Sequence, residues 1–307
     1  MVGPAAQRAA VDDLARQGRC SERKACRLVD VARSTKRYAR RQRVDEEKLR
    51  KAIRRMADRH RRYGYRRIAA LLRRKGWLVN VKRVHRIWKL EGLGLRRKRP
   101  KRRAYGPAGE VLHKAERPNH VWTYDFLEDR TERGGKLRIL TVLDEFTREC
   151  LAIRVERSIG SQRVIDTLEW LFLLHGAPTH LRSDNGPEFI AKALREWLAE
   201  RGARTLYITP GSPWENPYIE SFNGSLRDEC LNMHVFTNGR HAQDVTEEWR
   251  NEYNELRPHS SLNYQTPAEF AAHWRNSNRP TASLRCANAE YAGLDQEHGI
   301  SLTPAGT

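Results

Sequence analysis

Three apolar segments in the middle of the chain constrain its fold more than any other feature. They cover residues 121–128, 137–144 and 150–155, and Gly134 and Gly135 mark the turn between the first two. Segments of this length, rich in β-branched and aromatic residues, are typical of strands. The short connections between them predict an antiparallel meander.

After the meander, the chain alternates between helical and extended patterns. Apolar residues at helical spacing predict helices over 161–175 and 189–201, and short apolar segments predict strands over 179–182 and 203–209. A meander followed by alternating helices and strands is the order of a ribonuclease-H-like α/β fold. We therefore expect a mixed five-stranded sheet with helices.

Three carboxylates occupy positions where an ordinary surface acid is not needed. Asp125 interrupts the apolar, aromatic segment VWTYDF, which is predicted to be a buried strand. Asp184, in RSDNGPEF, follows a short strand and precedes turn residues. Glu220 comes shortly after Pro217, which suits the first turn of a helix. Because a buried carboxylate without a partner is costly, we expect a cation to hold Asp125.

A strand acid, a strand-end acid and a helix acid can converge on one pair of metal ions. Hard oxygen ligands suit Mg²⁺ or Mn²⁺. Two such ions can clamp the attacking and leaving oxygens of an in-line phosphoryl displacement. Asp144, at the end of the second predicted strand, is the main competing acid. We interpret Asp144 as structural, and its assignment in place of Asp125 is the alternative.

In combination, these motifs resemble those of a known family. WTYDF, SDNGPEF, and a helix that carries Glu220 with Arg227 seven residues later are similar to the DDE core of insertion-sequence transposases. The resemblance is to the IS-three-type family, second-reading-frame protein (OrfB), which is related to the retroviral integrase catalytic core. The segment YNELRPHSSLNYQTPAEF, residues 253–270, resembles the C-terminal signature of that family.

The resemblance covers about residues 61–274 and implies a DNA transposase. Such an enzyme cleaves the 3′ ends of an insertion sequence and transfers them to a second DNA strand, with two Mg²⁺ or Mn²⁺ ions as cofactors. The resemblance also implies a homo-multimer on DNA and a preceding-frame partner, OrfA, which is often fused to this chain by frameshifting. The implied metal ligands and catalytic residues are Asp125, Asp184 and Glu220, and the implied DNA contact near them is Arg227.

Polar side chains near these acids have two interpretations each. Asn216 and Asn223 either donate hydrogen bonds to DNA or cap the helix that carries Glu220, and we count Asn223 as a predicted DNA contact. Arg257 and His259 either touch DNA or a partner subunit, or they pack the turn in which they lie.

The net charge of +20 is distributed unevenly. Residues 1–110 contain 36 Lys and Arg against 10 Asp and Glu, a balance of +26, whereas residues 111–307 contain 22 against 28, a balance of −6. This asymmetry is typical of a polycationic nucleic-acid-binding module joined to an ordinary domain. A disordered basic tail is the alternative, and the apolar periodicity of the basic part argues against it.

The first predicted DNA-binding segment, residues 1–44, pairs two short helices. Ser21 is expected to cap the helix at 22–28, Ser34 is expected to cap the helix that follows, and residues 2–7 are expected to be loose. A basic second helix is typical of a helix-turn-helix, although a solvated basic helix is the alternative. The candidate DNA contacts in this segment are Lys36, Arg37 and Arg40.

The second predicted DNA-binding segment, residues 45–95, has a clearer helical pattern. One helix is expected over 45–59, a second ends at Gly76, and the helix at 81–90 is interpreted as the recognition helix of a helix-turn-helix. Its expected outward residues and candidate DNA contacts are Lys82, Arg83 and Arg86.

The remaining segments connect or extend these domains. Residues 96–110 begin with RRKRPKRR, which predicts a flexible cationic linker along DNA phosphates, with a solvated tether as the alternative. The integrase-like catalytic core is predicted over 111–275. Residues 276–307 have little periodicity and are expected to be disordered.

The sequence argues against a secreted or membrane protein. No apolar run is long enough to span a bilayer, and no signal peptide is recognisable. The five cysteines are scattered without a CxxC pair, which argues against a zinc site. We expect a bacterial cytoplasmic protein, associated with the nucleoid when bound to DNA.

Two other functions agree with parts of the pattern. A two-metal ribonuclease-H-like nuclease that cuts RNA–DNA hybrids or junctions has the same fold and acids, but the basic N-terminal part and the 253–270 signature argue against it. A catalytically inactive DNA-binding repressor derived from a transposase is the other alternative, and it would not require the three acids.

Overall fold

The computed structural model describes residues 3–18, 20–38, 44–95, 114–184, 186, 191–207 and 216–278. Contacts between Cα atoms divide the chain into two compact units: Met1–Arg61 with Lys82–Leu93, and Arg62–Val81 with Gly94–Thr307. The predicted contact Arg40, the predicted linker over 96–110 and almost all of the predicted tail over 276–307 lie outside the described residues. Among the helices of the described ranges, none is long and apolar enough to cross a membrane.

The described part of the first unit is helical. Val11 of the first helix is fully buried with Ala25 and Cys26 of the second, and the side-chain oxygen of Ser21 caps the second helix as predicted. Two predictions for this unit are wrong. The first helix begins at Pro4 because proline suits a first helical turn, and Ser34 lies inside the third helix, which follows Ala32. The helices are α1 (Pro4–Arg16), α2 (Glu22–Leu28), α3 (Arg33–Arg37), α4 (Glu46–Arg59) and, except for its first residue, α6 (Val81–Leu90).

The second unit is built on one five-stranded sheet with the strand order β3-β2-β1-β4-β5. The first three strands form the predicted antiparallel meander, and β1–β4 and β4–β5 are parallel pairs. This mixed sheet confirms the predicted ribonuclease-H-like architecture. The strands are β1 (Val121–Arg130), β2 (Lys136–Asp144), β3 (Cys150–Glu156), β4 (His180–Ser183) and β5 (Arg204–Tyr207).

Helices cover both faces of this sheet. Alternate residues of each central strand point to opposite faces, so Trp122 and Tyr124 enter one apolar cluster and Leu127 enters the other. Buried residues of α7 and α8 complete the first cluster, and buried residues of α9 and α10 complete the second. The helices of this unit are α5 (Tyr65–Arg74), α7 (Ser161–His175), α8 (Lys192–Glu200), α9 (Pro217–Glu229), α10 (Gly239–Glu255) and α11 (Pro267–Ser277).

The helix α9 is fastened to the sheet by polar as well as apolar contacts. The Thr123 hydroxyl of β1 donates to Oδ1 of Asn216 at 2.7 Å, and the Thr141 hydroxyl of β2 donates to Oδ1 of Asn223 at 3.0 Å. All four side chains are buried. Because buried hydrogen bonds of this kind fix one arrangement, they set the position of α9 along β1 and β2.

Candidate active site

Asp125 lies in the middle of β1, where α9 packs against the sheet. Its Oδ2 atom accepts a hydrogen bond from Nδ2 of Asn223 at 2.8 Å, and its Oδ1 atom accepts one from the backbone N–H of Phe126 at 2.8 Å. Burial raises the pKa of Asp125, as do the negative charges of Asp184 and Glu220. The two hydrogen bonds lower the pKa but do not offset these causes, so it lies at about 6.

Asp184 comes directly after β4. In the parallel pairing of β1 and β4, Thr123 lies opposite Arg182, and Asp125 and Asp184 each come two residues later. The register therefore places Asp125, on β1, beside Asp184, at the end of the neighbouring strand β4. Asp184 is exposed, and its Oδ1 atom accepts a hydrogen bond from the backbone N–H of Gly186 at 3.0 Å.

Glu220 lies in the first turn of α9, which begins at Pro217 as the sequence predicts. Its side chain is exposed at the helix surface, and partial burial raises its pKa. Arg227 lies two turns further along α9, is exposed, and donates from Nη2 to the carbonyl oxygen of Glu128 at 3.0 Å. Glu220 and Arg227 therefore follow the same flank of the helix.

The charges of Asp184 and Glu220 act on Asp125, although the three acids are not arranged as one metal-binding group. The groups that most affect the pKa of Asp125 are two acids, one amide and one backbone N–H, and no cation is among them. Within the described residues, no group of three or more His, Cys, Asp and Glu side chains is arranged to hold a metal ion. The structure thus brings Asp184 and Glu220 towards Asp125 but not into one coordination sphere.

Asn223, one of the predicted DNA contacts, is buried between α9 and the sheet. Its side chain is 7% exposed, its amide nitrogen donates to Asp125, and its amide oxygen accepts from Thr141. Both ends of the amide are therefore engaged inside the protein. Thr141 pairs directly with Asp125 in the β1–β2 register, which brings both side chains to Asn223, and this register is seen only in the structure.

Asp144 is structural, as interpreted from the sequence. It is 2% exposed, and its carboxylate accepts hydrogen bonds from the backbone N–H groups of Asn119, Phe146 and Thr147 at 2.8–2.9 Å. Two of these bonds hold the turn between β2 and β3, and the bond from Asn119 ties the segment before β1 to the end of β2. This arrangement leaves Asp125 as the acid on the central strand that faces Asp184 and Glu220.

Most of the predicted DNA contacts of the first unit are in ion pairs. Lys36 contacts Asp12 at 2.6 Å, and Arg37 contacts Glu22 at 2.8 Å. Within α6, Lys82 is exposed.

Arg83 and Arg86, the predicted outward residues of α6, both have carboxylate partners. Arg83 binds Asp45 through both terminal nitrogens, at 2.7 and 2.9 Å, and its side chain is only 11% exposed. Arg86 contacts Glu46 at 2.7 Å. These pairs join α6 to the start of α4, because planar guanidinium groups favour bidentate contacts with carboxylates.

Two buried ion pairs of the second unit were not predicted. Glu145, next to Asp144, accepts a hydrogen bond from Nε of Arg182 at 2.8 Å, and the two side chains are 0% and 3% exposed. Arg257 binds Glu229 through two nitrogens, each at 2.7 Å, with side chains 4% and 7% exposed. A sequence shows each charge but not its partner. For Arg257, the structure agrees with the interpretation that it packs its turn.

Comparison with known proteins shows the family to which the chain belongs. Two models described as integrase core domain match residues 115–213 and 201–267, and a model described as HTH-like domain matches residues 44–103. A protein of insertion element IS407 from Burkholderia multivorans is 43% identical over 263 residues, which are 85% of this chain and 95% of that protein. Transposase InsD for insertion element IS2D of Escherichia coli is 31% identical over 234 residues, 68% of this chain and 73% of that protein. The chain belongs to the IS-three-type family of insertion-sequence transposases.

Family membership gives the observed architecture a function. The function of this transposase is the movement of an insertion sequence, and the enzyme is of the polynucleotidyl-transferase class. Among solved structures, the chain is similar to the catalytic core domain of HTLV-2 integrase, with a TM-score of 0.42 and 17% identity over 50% of this chain and 97% of that one.

Proposed function

We propose that Asp125, Asp184 and Glu220 are the catalytic, metal-binding acids of a DDE transposase. The chain would cleave the 3′ ends of its insertion sequence and transfer them to target DNA. The observation that carries this proposal is the position of Asp125, whose pKa is raised to about 6 by burial and by the charges of Asp184 and Glu220. An acid whose ionisation is disfavoured by burial and by neighbouring negative charges is stabilised by a cation.

The donor set is suited to a hard divalent cation. Carboxylate oxygens are the ligands that Mg²⁺ and Mn²⁺ prefer, and the exposed Asp184 and Glu220 are accessible from solvent. When bound, two such ions would activate the attacking oxygen and stabilise the leaving oxygen of a phosphodiester. Asp125, Asp184 and Glu220 would hold these ions.

The other residues of the site would orient the acids and the DNA. Asn223 and the backbone N–H of Phe126 fix the two oxygens of Asp125, and Thr141 fixes Asn223 in turn. Arg227, exposed on the flank of α9 that carries Glu220, would contact a DNA phosphate beside the acids. No covalent bond between protein and DNA is needed.

The N-terminal helices would recognise the terminal inverted repeats of the element. We assign this role to the segments 1–44 and 45–95, with Lys36, Arg37, Arg40, Lys82, Arg83 and Arg86 as contacts, of which Arg37 and Lys82 are exposed. The large positive charge of residues 1–110 supports this assignment. Two DNA ends would require at least two copies of the chain, and an OrfA protein would be a further partner.

The proposal is tested with radiolabelled duplexes that carry the ends of the protein's own element. In Mg²⁺, the full chain is expected to nick the 3′ ends and to produce joined products, whereas Asp125→Asn produces neither but binds the same duplexes. Asp129→Asn, the same substitution further along β1, is the matched control and is expected to retain both reactions.

The same assay separates the alternatives. Efficient cleavage of an RNA–DNA hybrid without any joining of DNA would favour the two-metal nuclease. Specific binding without metal-dependent chemistry would favour the inactive repressor. Either result would contradict the proposed transposase chemistry.

A further inference from the structure

A polar cavity lies beside α9, on the flank that faces away from Arg227. Its volume is about 340 Å³. Successive residues of a helix are about 100° apart, so Tyr218, Ser221 and Ser225 form a stripe that is separate from the stripe of Glu220 and Arg227. The cavity is lined by these residues and by Arg67, Arg148, Arg257, His259, Ser260 and Ser261, among others.

Positive charge predominates around this cavity. Arg67 and Arg257 both bind Glu229, each at 2.7 Å, and Arg148 adds a third cation. Three cations against one carboxylate leave an excess of two positive charges. The pKa of His259 agrees with this, because burial and then the charges of Arg257, Arg67 and Arg148 lower it to about 3.

Arg148 is held in place but has unused hydrogen-bonding capacity. Its guanidinium carbon lies 3.6 Å from the ring centroid of Tyr218, an arrangement that stabilises a cation and fixes the plane of the group. Its Nη1 atom is buried and has no hydrogen-bond partner among the described residues. A buried donor without a partner is costly, so an acceptor in the cavity would stabilise the site.

The remaining lining residues suit an oxyanion. Ser221, Ser260 and Ser261 are exposed and bring hydroxyl donors to the same cavity as Arg148. Arginine with hydroxyl groups is a frequent combination at phosphate sites, because a phosphate oxygen accepts several hydrogen bonds at once. The two nearest glutamates in sequence are already paired, since Glu149 contacts Arg275 at 3.7 Å and Glu145 contacts Arg182 at 2.8 Å.

We propose that this cavity binds a phosphate group of the DNA backbone, with Arg148 as the principal contact and Ser221, Ser260 and Ser261 as hydroxyl donors. The site would hold a DNA strand on the flank of α9 opposite the acids. The inference rests on the proposed function in one respect, because it takes DNA as the substrate of the chain. It does not depend on the identity of the catalytic acids.

The test measures DNA binding without chemistry. The full chain, Arg148→Gln and Arg240→Gln are titrated by fluorescence anisotropy with a random-sequence 30-base-pair duplex, in EDTA, over a series of KCl concentrations. Arg240 is an exposed arginine at the start of α10 and is the matched control. The slope of log affinity against log salt is expected to fall by about 0.9 for Arg148→Gln, the value for one lost phosphate contact, and to stay unchanged for Arg240→Gln.

A second pair of variants covers the case in which Arg148→Gln does not fold. Ser261→Asp and Ser261→Asn change an exposed position by side chains of equal size that differ only in charge. Ser261→Asp is expected to weaken binding about tenfold at low salt, and Ser261→Asn is expected to leave it close to the parent value. Equal effects of the two variants would overturn the proposal.

Two further outcomes are decisive. An unchanged salt slope for a folded Arg148→Gln, or an equal loss for Arg240→Gln, would contradict a phosphate contact in the cavity. In a second experiment, inorganic phosphate is added to the full chain, and its binding is measured by the broadening of its phosphorus NMR signal. If Arg148→Gln abolishes that broadening while the DNA slope is unchanged, the occupant is a free phosphate compound and the assignment to DNA is overturned. None of these measurements depends on cleavage or joining.

Discussion

The side chains of Asn223 and Asp125 meet at 2.8 Å although they lie 98 residues apart in the chain. Thr141 holds the other end of the Asn223 amide at 3.0 Å, so three elements, β1, β2 and α9, determine the orientation of one carboxylate. This contact also explains why α9 is fixed at its particular level along the sheet. A change in α9 is therefore transmitted directly to Asp125.

The first prediction concerns this contact. Asn223→Ala removes a hydrogen bond that lowers the pKa of Asp125, so we expect that pKa to rise above about 6 and DNA cleavage to fall about 10–100-fold. The pKa is measured by carboxyl NMR of the metal-free protein, and binding of DNA is expected to be unchanged. Thr141→Val, which removes only the support of Asn223, is expected to have a smaller effect in the same direction. An unaltered Asp125 titration in Asn223→Ala would contradict the assigned role.

The second prediction concerns stability and pH. The pKa of Asp125 is about 6 in the folded chain and 3.8 ordinarily, so the folded chain binds more protons between these values. Stability of the metal-free protein therefore decreases as pH rises from about 4 to about 6. Asp125→Asn removes this effect and is expected to be more stable than the parent at pH 7, by about 1–3 kcal/mol, but not at pH 4. Urea unfolding at the two pH values measures the difference, and a difference independent of pH would refute the prediction.

The third prediction concerns the buried ion pair of Glu145 and Arg182. Arg182 lies two residues before Asp184 in the sequence. Arg182→Met leaves the Glu145 carboxylate buried without its cation and is expected to lower the free energy of unfolding by about 3–5 kcal/mol. Adding Glu145→Gln removes the uncompensated charge and is expected to restore part of this loss. Denaturant unfolding of both variants measures the change. Additive losses in the double variant would show that the two groups do not act as a pair.

The fourth prediction concerns Arg257. Lysine keeps the charge but cannot bind Glu229 through two nitrogens, so Arg257→Lys is expected to cost about 1–3 kcal/mol of unfolding free energy. Because Arg257 is buried, the salt dependence of DNA binding is expected to stay as in the parent, unlike that of Arg148→Gln. An unchanged free energy of unfolding in Arg257→Lys would contradict the structural role of the two-nitrogen contact with Glu229.

The sequence predicts the elements of this fold better than its side-chain partnerships. Strand periodicity gives the meander, the alternation of helix and strand gives the rest of the sheet, and both agree with the structure within a few residues. The ion pair of Arg83 is an example of a contact that the sequence pattern does not predict. The place of Arg83 on α6 is predicted, but its ion pair with Asp45 depends on a tertiary contact that no periodicity encodes.

Around the three acids, too, the sequence pattern predicts positions but not side-chain contacts. The context of Asp125 in an apolar strand reveals its unusual environment, whereas the buried amide of Asn223 could not be distinguished from an exposed DNA contact. The spacing of residues along a helix shows which of them share a face, but not whether that face is buried or exposed. The threonines that hold Asn216 and Asn223 look like ordinary strand residues until the register of the sheet is seen.

The most direct test of the central claim is a strand-transfer assay with Glu220→Gln beside the parent protein. Both are incubated with labelled ends of the element, in Mg²⁺ or Mn²⁺ for chemistry and in Ca²⁺ for binding alone. We expect the parent to nick and join these ends, and Glu220→Gln to bind them with similar affinity while both reactions fall by at least about 10³-fold. Retained turnover in Glu220→Gln would remove Glu220 from the site and contradict the three-acid account.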